Sequence, residues 1–91
     1  MNETVYKTHE VRLVNRNILK LNGIKKIESF DKDEFEMISN MGNIIVKGQD
    51  LEVLLLDTDK GDVEIKGKIN SINYIDAKKE NKESLFSKLF K

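Results

Sequence analysis

Between Val11 and Asp76 the apolar residues recur at every second position in short runs, and polar breaks end each run before a helical period is completed. Glu34-Phe35-Glu36-Met37-Ile38 sets the pattern, with Phe35 and Met37 on one face and both glutamates on the other. That is the two-residue period of a half-buried strand. Asp62-Val63-Glu64-Ile65-Lys66 repeats it, with Val63 and Ile65 inward. Asn43 to Lys47, Leu51 to Leu56 and Ile69 to Ile75 are further β-rich runs. Proline is absent, so Gly, Asn and Asp supply the breaks. The pattern predicts an all-β domain of about six to eight short, mostly antiparallel strands.

The turn residues are expected at Asn22, Gly23, Gly42, Gly48, Gly61 and Gly67. Asn22-Gly23 lies between Ile18–Leu21 and Ile24–Ile27, and Asn-Gly between apolar runs is a strong hairpin signal. A corner or bulge at Gly23 is the competing reading. Three segments also share an apolar-x-apolar-x-Gly element and a later apolar-x-x-apolar-Asp stop. They are Leu19, Leu21, Gly23 to Asp31; Ile44, Val46, Gly48 to Asp57; and Val63, Ile65, Gly67 to Asp76. Each reads as a strand, a Gly-eased bend, a second strand and a polar stop. The glycine spacings of 25 and 19 residues are unequal, which favours a compact sandwich or roll with glycine corners over a β-solenoid.

At 91 residues the chain is one domain with a modest core, since a chain this short buries roughly 60–65% of its unfolded surface. Residues 1–8 are expected to be a flexible segment, 9–76 the β domain, and 77–91 a charged linker and a C-terminal amphipathic helix or tail. In that last stretch Leu85 and Leu89, and Phe86 and Phe90, stand four apart and form one helical stripe beside five lysines and two glutamates. At about twelve residues it needs a surface to fold against. The chain's own sheet, a partner's groove and an anionic membrane are the three surfaces considered.

No constellation for catalysis is visible. His9 is the single histidine, and cysteine is absent, which removes disulfides and thiolate metal sites. The acidic stretches Asp31-Lys32-Asp33-Glu34 and Asp57-Thr58-Asp59-Lys60-Gly61-Asp62 do not continue as an EF-hand, because the position for the distal Glu of the second is Lys68. They are read as solvated turns. None of Ser29, Ser39, Ser71, Ser84 and Ser87 sits in a Gly-x-Ser-x-Gly elbow, and the five glycines form no phosphate loop. Neither a cofactor nor a metal is expected. Sixteen basic residues balance sixteen acidic ones, which argues against nucleic acid as a partner.

Met1 to Lys7 lacks a basic stretch followed by an apolar one, so no signal peptide is expected. The longest apolar run, Val53–Leu56, is far short of the ~20 residues that span a bilayer, so any membrane contact is expected to be peripheral. The remaining surface suits protein contacts. If Val53 and Leu55 face the core, Leu54 and Leu56 face the other way, and Ile45 is out of phase with Ile44 and Val46. A sheet apolar on both faces is covered on both. Candidate contacts are therefore Leu54, Leu56, Leu85, Phe86, Leu89 and Phe90.

Several of these segments resemble the YabP/YqfC family of endospore-formation proteins. His9-Glu10-Val11-Arg12-Leu13-Val14-Asn15-Arg16 is similar to its opening strand and Asn-Arg pair. Gly23-Ile24-Lys25-Lys26-Ile27-Glu28-Ser29-Phe30-Asp31 resembles its Gly-Val-x-x-Val-x-Ser-Phe-Asp signature. Gly42 to Gly48 with Leu51, and Ile65 to Ile69 with Tyr74, are similar to its later strands, and the Leu/Phe tail is more like the YabP branch. The resemblance covers about residues 9–76. It implies a non-enzymatic role in forming the spore envelope, at the coat or cortex stage. The expected setting is the mother-cell cytoplasm, with a peripheral position at the forespore outer membrane. Self-association and a membrane-protein partner of the YabQ or YqfD type are the associations it implies. The rivals are a cytoplasmic small-ligand or ion-binding module without assembly, and an enzyme whose site forms only between subunits.

Overall fold

A computed structural model of the chain describes residues 8–76. Six strands follow one another: β1 (Val11–Val14), β2 (Ile18–Leu21), β3 (Ile24–Phe30), β4 (Glu34–Ser39), β5 (Gly42–Asp57) and β6 (Asp62–Ile75). They form one antiparallel sheet in the order β1-β2-β6-β5-β4-β3. The all-β expectation holds. The strands are less uniform than the pattern implied. The runs either side of Gly48 are one 16-residue strand, and those either side of Gly67 are one 14-residue strand.

Both long strands bend, because their register slips between Lys47 and Gly48 and between Gln49 and Glu52. A bulge of this kind sharpens twist and turns a strand through a corner. The tip of another hairpin closes each corner. The Gly48 and Leu51 N–H groups donate to the Asp33 and Lys32 carbonyls at 3.0 and 2.8 Å. The Gly67 and Ile69 N–H groups donate to the Asn17 and Arg16 carbonyls at 2.9 and 3.0 Å. Arg16 adds its side chain, with Nε on the Ile69 carbonyl at 2.9 Å and Nη2 on Asn70 Oδ1 at 3.0 Å. Glycine is required here by close approach. A Cβ on Gly48 would stand 2.0 Å from the Lys68 carbonyl oxygen, and one on Gly67, at φ 143°, would stand 2.7 Å from that of Asp50.

The corners divide the sheet into two halves. In one, β3, β4 and the first half of β5 continue into the second half of β6. In the other, β1, β2 and the first half of β6 continue into the second half of β5. Leu19, Leu21, Val63 and Ile65 from one half and Phe35, Met37, Ile44 and Val46 from the other are each at most 3% exposed and form a single cluster. A sheet face cannot be that dry without a cover, so the two halves fold over each other, as a sandwich or roll requires. Leu51 and Ile69 fill the bends and Ile24 completes the core.

The two halves match residue for residue. Leu19 opposite Ile65 and Leu21 opposite Val63 correspond to Phe35 opposite Val46 and Met37 opposite Ile44, and Gly67 corresponds to Gly48. The internal repeat is therefore twofold, a hairpin followed by contact with a bent strand, and only the second and third of the three sequence copies are equivalent. Gly23 (φ 71°) does not form the hairpin that Asn22-Gly23 suggested. β2 pairs with β1 and β6, while β3 pairs with β4, so Asn22-Gly23 carries the chain from one half to the other. The actual first hairpin turns at Asn15 and Arg16, whose φ values of 55° and 53° and whose Asn17 N–H bond to Val14 O (2.9 Å) fit a primed turn.

Candidate functional site

The second half of β5 pairs with β6 on one side, and among the described residues no strand pairs with its other side. Leu54, Leu55 and Leu56 lie on this free edge and are 50%, 40% and 47% exposed. The alternation expected for Val53–Leu56 is broken. Val53 sits opposite Ile65, but Leu55 sits opposite Glu64 and Leu56 opposite Val63, so Leu54 is an extra residue bulged from the ladder. One added residue reverses the parity of all that follow. Val53 packs on the core as expected, whereas Leu55 turns outward and Leu56 lies on the inner side at the open end of the halves. The three leucines thus wrap around the edge instead of lining one face. All three are exposed, but the outward place expected for Leu56 is taken by Leu55. Leu85, Phe86, Leu89 and Phe90 lie outside the described residues.

Leu55 also borders a depression of about 250 Å³ lined by charged groups that include Arg12, Lys20 and Glu64. A second hollow, of about 400 Å³, lies among loop residues near Gly23 and Thr58 to Asp62. Both are open and shallow.

The polar residues singled out in the sequence serve turns and tethers. The Asp31 carboxylate accepts the N–H groups of Asp33 (2.8 Å) and Glu34 (2.9 Å), which sets the β3–β4 tip that closes the β5 corner. Asp57 Oδ1 accepts the Lys60 N–H at 3.1 Å in the β5–β6 turn. Neither carboxylate belongs to a cluster of metal ligands among the described residues. His9 Nδ1 faces the Asn22 carbonyl at 2.7 Å, and since a carbonyl only accepts, that nitrogen carries a proton. Its Nε2 meets the Tyr74 hydroxyl at 2.6 Å, with the two rings edge to face. His9 therefore ties the start of the domain to the end of β6. Asn22 does similar work, with its side chain bonded to the Glu10 N–H and carboxylate at 2.7 and 3.0 Å. Phe30 is 56% exposed but stacks on buried Phe35 at a centroid distance of 5.0 Å and shields it.

On the outside of the β3–β4 hairpin, Glu34 and Glu36 share a face near Glu28. Protonated Glu36 donates a hydrogen bond to the Glu34 carboxylate, and this bond, followed by desolvation and repulsion from the Glu34 and Glu28 carboxylates, raises the Glu36 pKa above its ordinary value. Carboxyl groups this close on a turn-proximal strand favour a shared proton over two adjacent charges.

The fold and its site define a class: a small, doubled-over antiparallel sheet whose most prominent exposed chemistry is an apolar strand edge. The model of the YabP family matches residues 5–81, and the chain is 40% identical over 89 residues to Spore protein YabP of Bacillus subtilis (strain 168), covering 97% of this chain and 89% of that relative. The chain belongs to the YabP family. The segments that carried the resemblance are structural in this fold. Asn15-Arg16 forms and anchors a corner, Phe30-Asp31 caps the opposite tip, and Gly48 and Gly67 allow the bends.

Proposed function

We propose that this chain acts in sporulation, as a non-catalytic β domain that helps to build the spore envelope by binding other proteins. Family membership and the 40% identity to a protein named as a spore protein support the setting. The observation that carries the mode of action is the run Leu54-Leu55-Leu56, three exposed leucines in a row on a strand edge that pairs with no other strand among the described residues. Such a run offers a partner contiguous apolar side-chain area, the kind of exposed patch that marks protein contacts. The partners proposed are a second copy and a membrane protein of the developing spore surface, with the chain working from the mother-cell side. No helix among the described residues is long and apolar enough to cross a membrane, so an anchored partner would supply the attachment. The Leu85, Phe86, Leu89, Phe90 stripe is proposed as a second contact.

The test replaces Leu54 and Leu56 by Ser in the spore-forming host. Both side chains are half exposed, so the purified variant is expected to keep its circular-dichroism spectrum and unfolding temperature. The chain's enrichment at the forespore surface and the yield of heat-resistant spores should fall. A folded variant with unchanged enrichment and spore yield would remove the edge from the mechanism. Leu85→Ser with Phe86→Ser tests the tail in the same assay.

A further inference from the structure

The folded-over sheet has four free edges among the described residues, and three carry the devices that keep edges from pairing. β1 is four residues long and holds Arg12. β3 has two register shifts and presents Lys25, Lys26 and Glu28. The second half of β5 is bulged at Leu54 and bounded by Glu52 and Asp57. The second half of β6 has none of these. Ser71-Ile72-Asn73-Tyr74-Ile75 pairs with Lys47 to Asn43 without interruption and contains no charge and no proline. The β1–β2 turn covers β6 only as far as Ile69 and Asn70. Beyond that point alternate residues direct backbone N–H and C=O groups to a side where no described strand pairs with them.

We propose that this edge of β6 pairs antiparallel with the same edge of a second copy, with the two-fold axis at Asn73. The inference rests on the reading that the chain works by association, and it names one associating surface. In that register Asn73 meets Asn73 of the second copy, so two amides face each other and can exchange hydrogen bonds. Tyr74 meets Ile72 of the second copy on the inner face, where Ile72 and Tyr74 already lie opposite Val46 and Ile44. An aromatic beside a β-branched residue is a favourable cross-strand pair. Ile75 meets Ser71 on the outer face. Every facing pair within the five residues is neutral, so the strand complements itself and leaves no charge for a different partner to satisfy. The chain as a whole carries no net formal charge to oppose approach. Pairing joins β3-β4-β5-β6 to its copy as one eight-stranded sheet. The contact is at the small end of specific interfaces, so a micromolar dimer is expected.

The register gives a sharp test. Asn73 is exposed on the outer face, and the two-fold axis sets any substituent there against itself. Sedimentation velocity on the full chain, from micromolar to near-millimolar concentration, is expected to record a monomer–dimer equilibrium. Asn73→Lys and Asn73→Asp are each expected to weaken it by about tenfold or more, through like charges in contact. Mixing the two variants should restore dimers of one copy of each. Circular dichroism and thermal unfolding check that both variants keep the fold. A monomeric wild type across that range overturns the proposal, as does an Asn73→Lys chain that associates like the wild type, or a mixture with no gain. A dimer lost in the Leu54→Ser, Leu56→Ser chain but retained in Asn73→Lys would place the second copy on β5 and also overturn it. A wild type that stays monomeric while its spore phenotype still depends on Leu54 and Leu56 would refute this inference and leave the association reading standing.

Discussion

Substituting Gly48 by Ala probes the corner on which the doubled sheet depends. Its φ lies outside the left-handed region, so an added methyl meets steric resistance alone. The new Cβ would lie 2.0 Å from the Lys68 carbonyl oxygen, and ordinary contact begins near 3.4 Å. The obstacle is backbone within the paired β6 strand, so relief requires β5 and β6 to part by about 1.4 Å at the bend. That movement strains the Gly48 N–H bond to Asp33 and the Leu51 N–H bond to Lys32, worth about 1 kcal/mol each. It also loosens Leu51, now 5% exposed, and partial exposure adds about 1 kcal/mol. The expected loss is about 3 kcal/mol, against a stability of roughly 3–10 kcal/mol for a domain of this size. Urea unfolding followed by far-ultraviolet circular dichroism measures it, since the chain has no Trp. The midpoint should fall with little change in slope, and the unfolding temperature should drop by about 12–24 °C. Gln49→Ala, next to the same bend but exposed, should stay within about 0.5 kcal/mol. A loss under about 1 kcal/mol in Gly48→Ala would mean that the bend yields easily, and the argument from close approach would fail.

Two further outcomes follow from the same geometry. Arg16→Ala removes the bonds to the Ile69 carbonyl and Asn70 and should cost about 1–2 kcal/mol in urea unfolding, with Arg16→Lys failing to restore it because a single ammonium cannot reproduce the planar fork. Glu36→Gln should change how stability depends on pH. The Glu36 pKa is raised in the fold, so the folded state holds that proton more tightly than the unfolded chain. Stability is therefore lost as pH rises from the ordinary value of 4.5 through the raised one, and the Gln variant should lose less over that window. Thermal unfolding across the window at low salt reads the difference, which added salt should shrink.

The strands with strict alternation are legible in the sequence. Phe35 and Met37, and Val63 and Ile65, are buried where a two-residue period puts them. The glycine corners at 48 and 67 were legible too, as the small residues inside otherwise β-rich runs. The β1–β2 hairpin was hidden. Its turn places Asn15 and Arg16 at positive φ without a glycine, and the bonds that fasten Arg16 come from β6, more than fifty positions away. The same long-range pairing defeated the local Asn22-Gly23 signal, since β2 and β3 each find better partners across the folded sheet. At the candidate site the spacing put Leu54 and Leu56 on the outer face, but the bulge at Leu54 turns Leu55 outward and Leu56 inward. A bulge is set by pairing with the opposite strand, and a period read along one strand does not contain it.

This chain is proposed to act through the surfaces that its folded sheet presents. The most direct measurement is the yield of heat-resistant spores in cells whose only copy carries Leu54→Ser and Leu56→Ser, with its folding verified on the purified chain. A sharp fall in spores, together with loss of the chain from the forespore surface, is the predicted result. Wild-type yield and placement from that folded variant would contradict it.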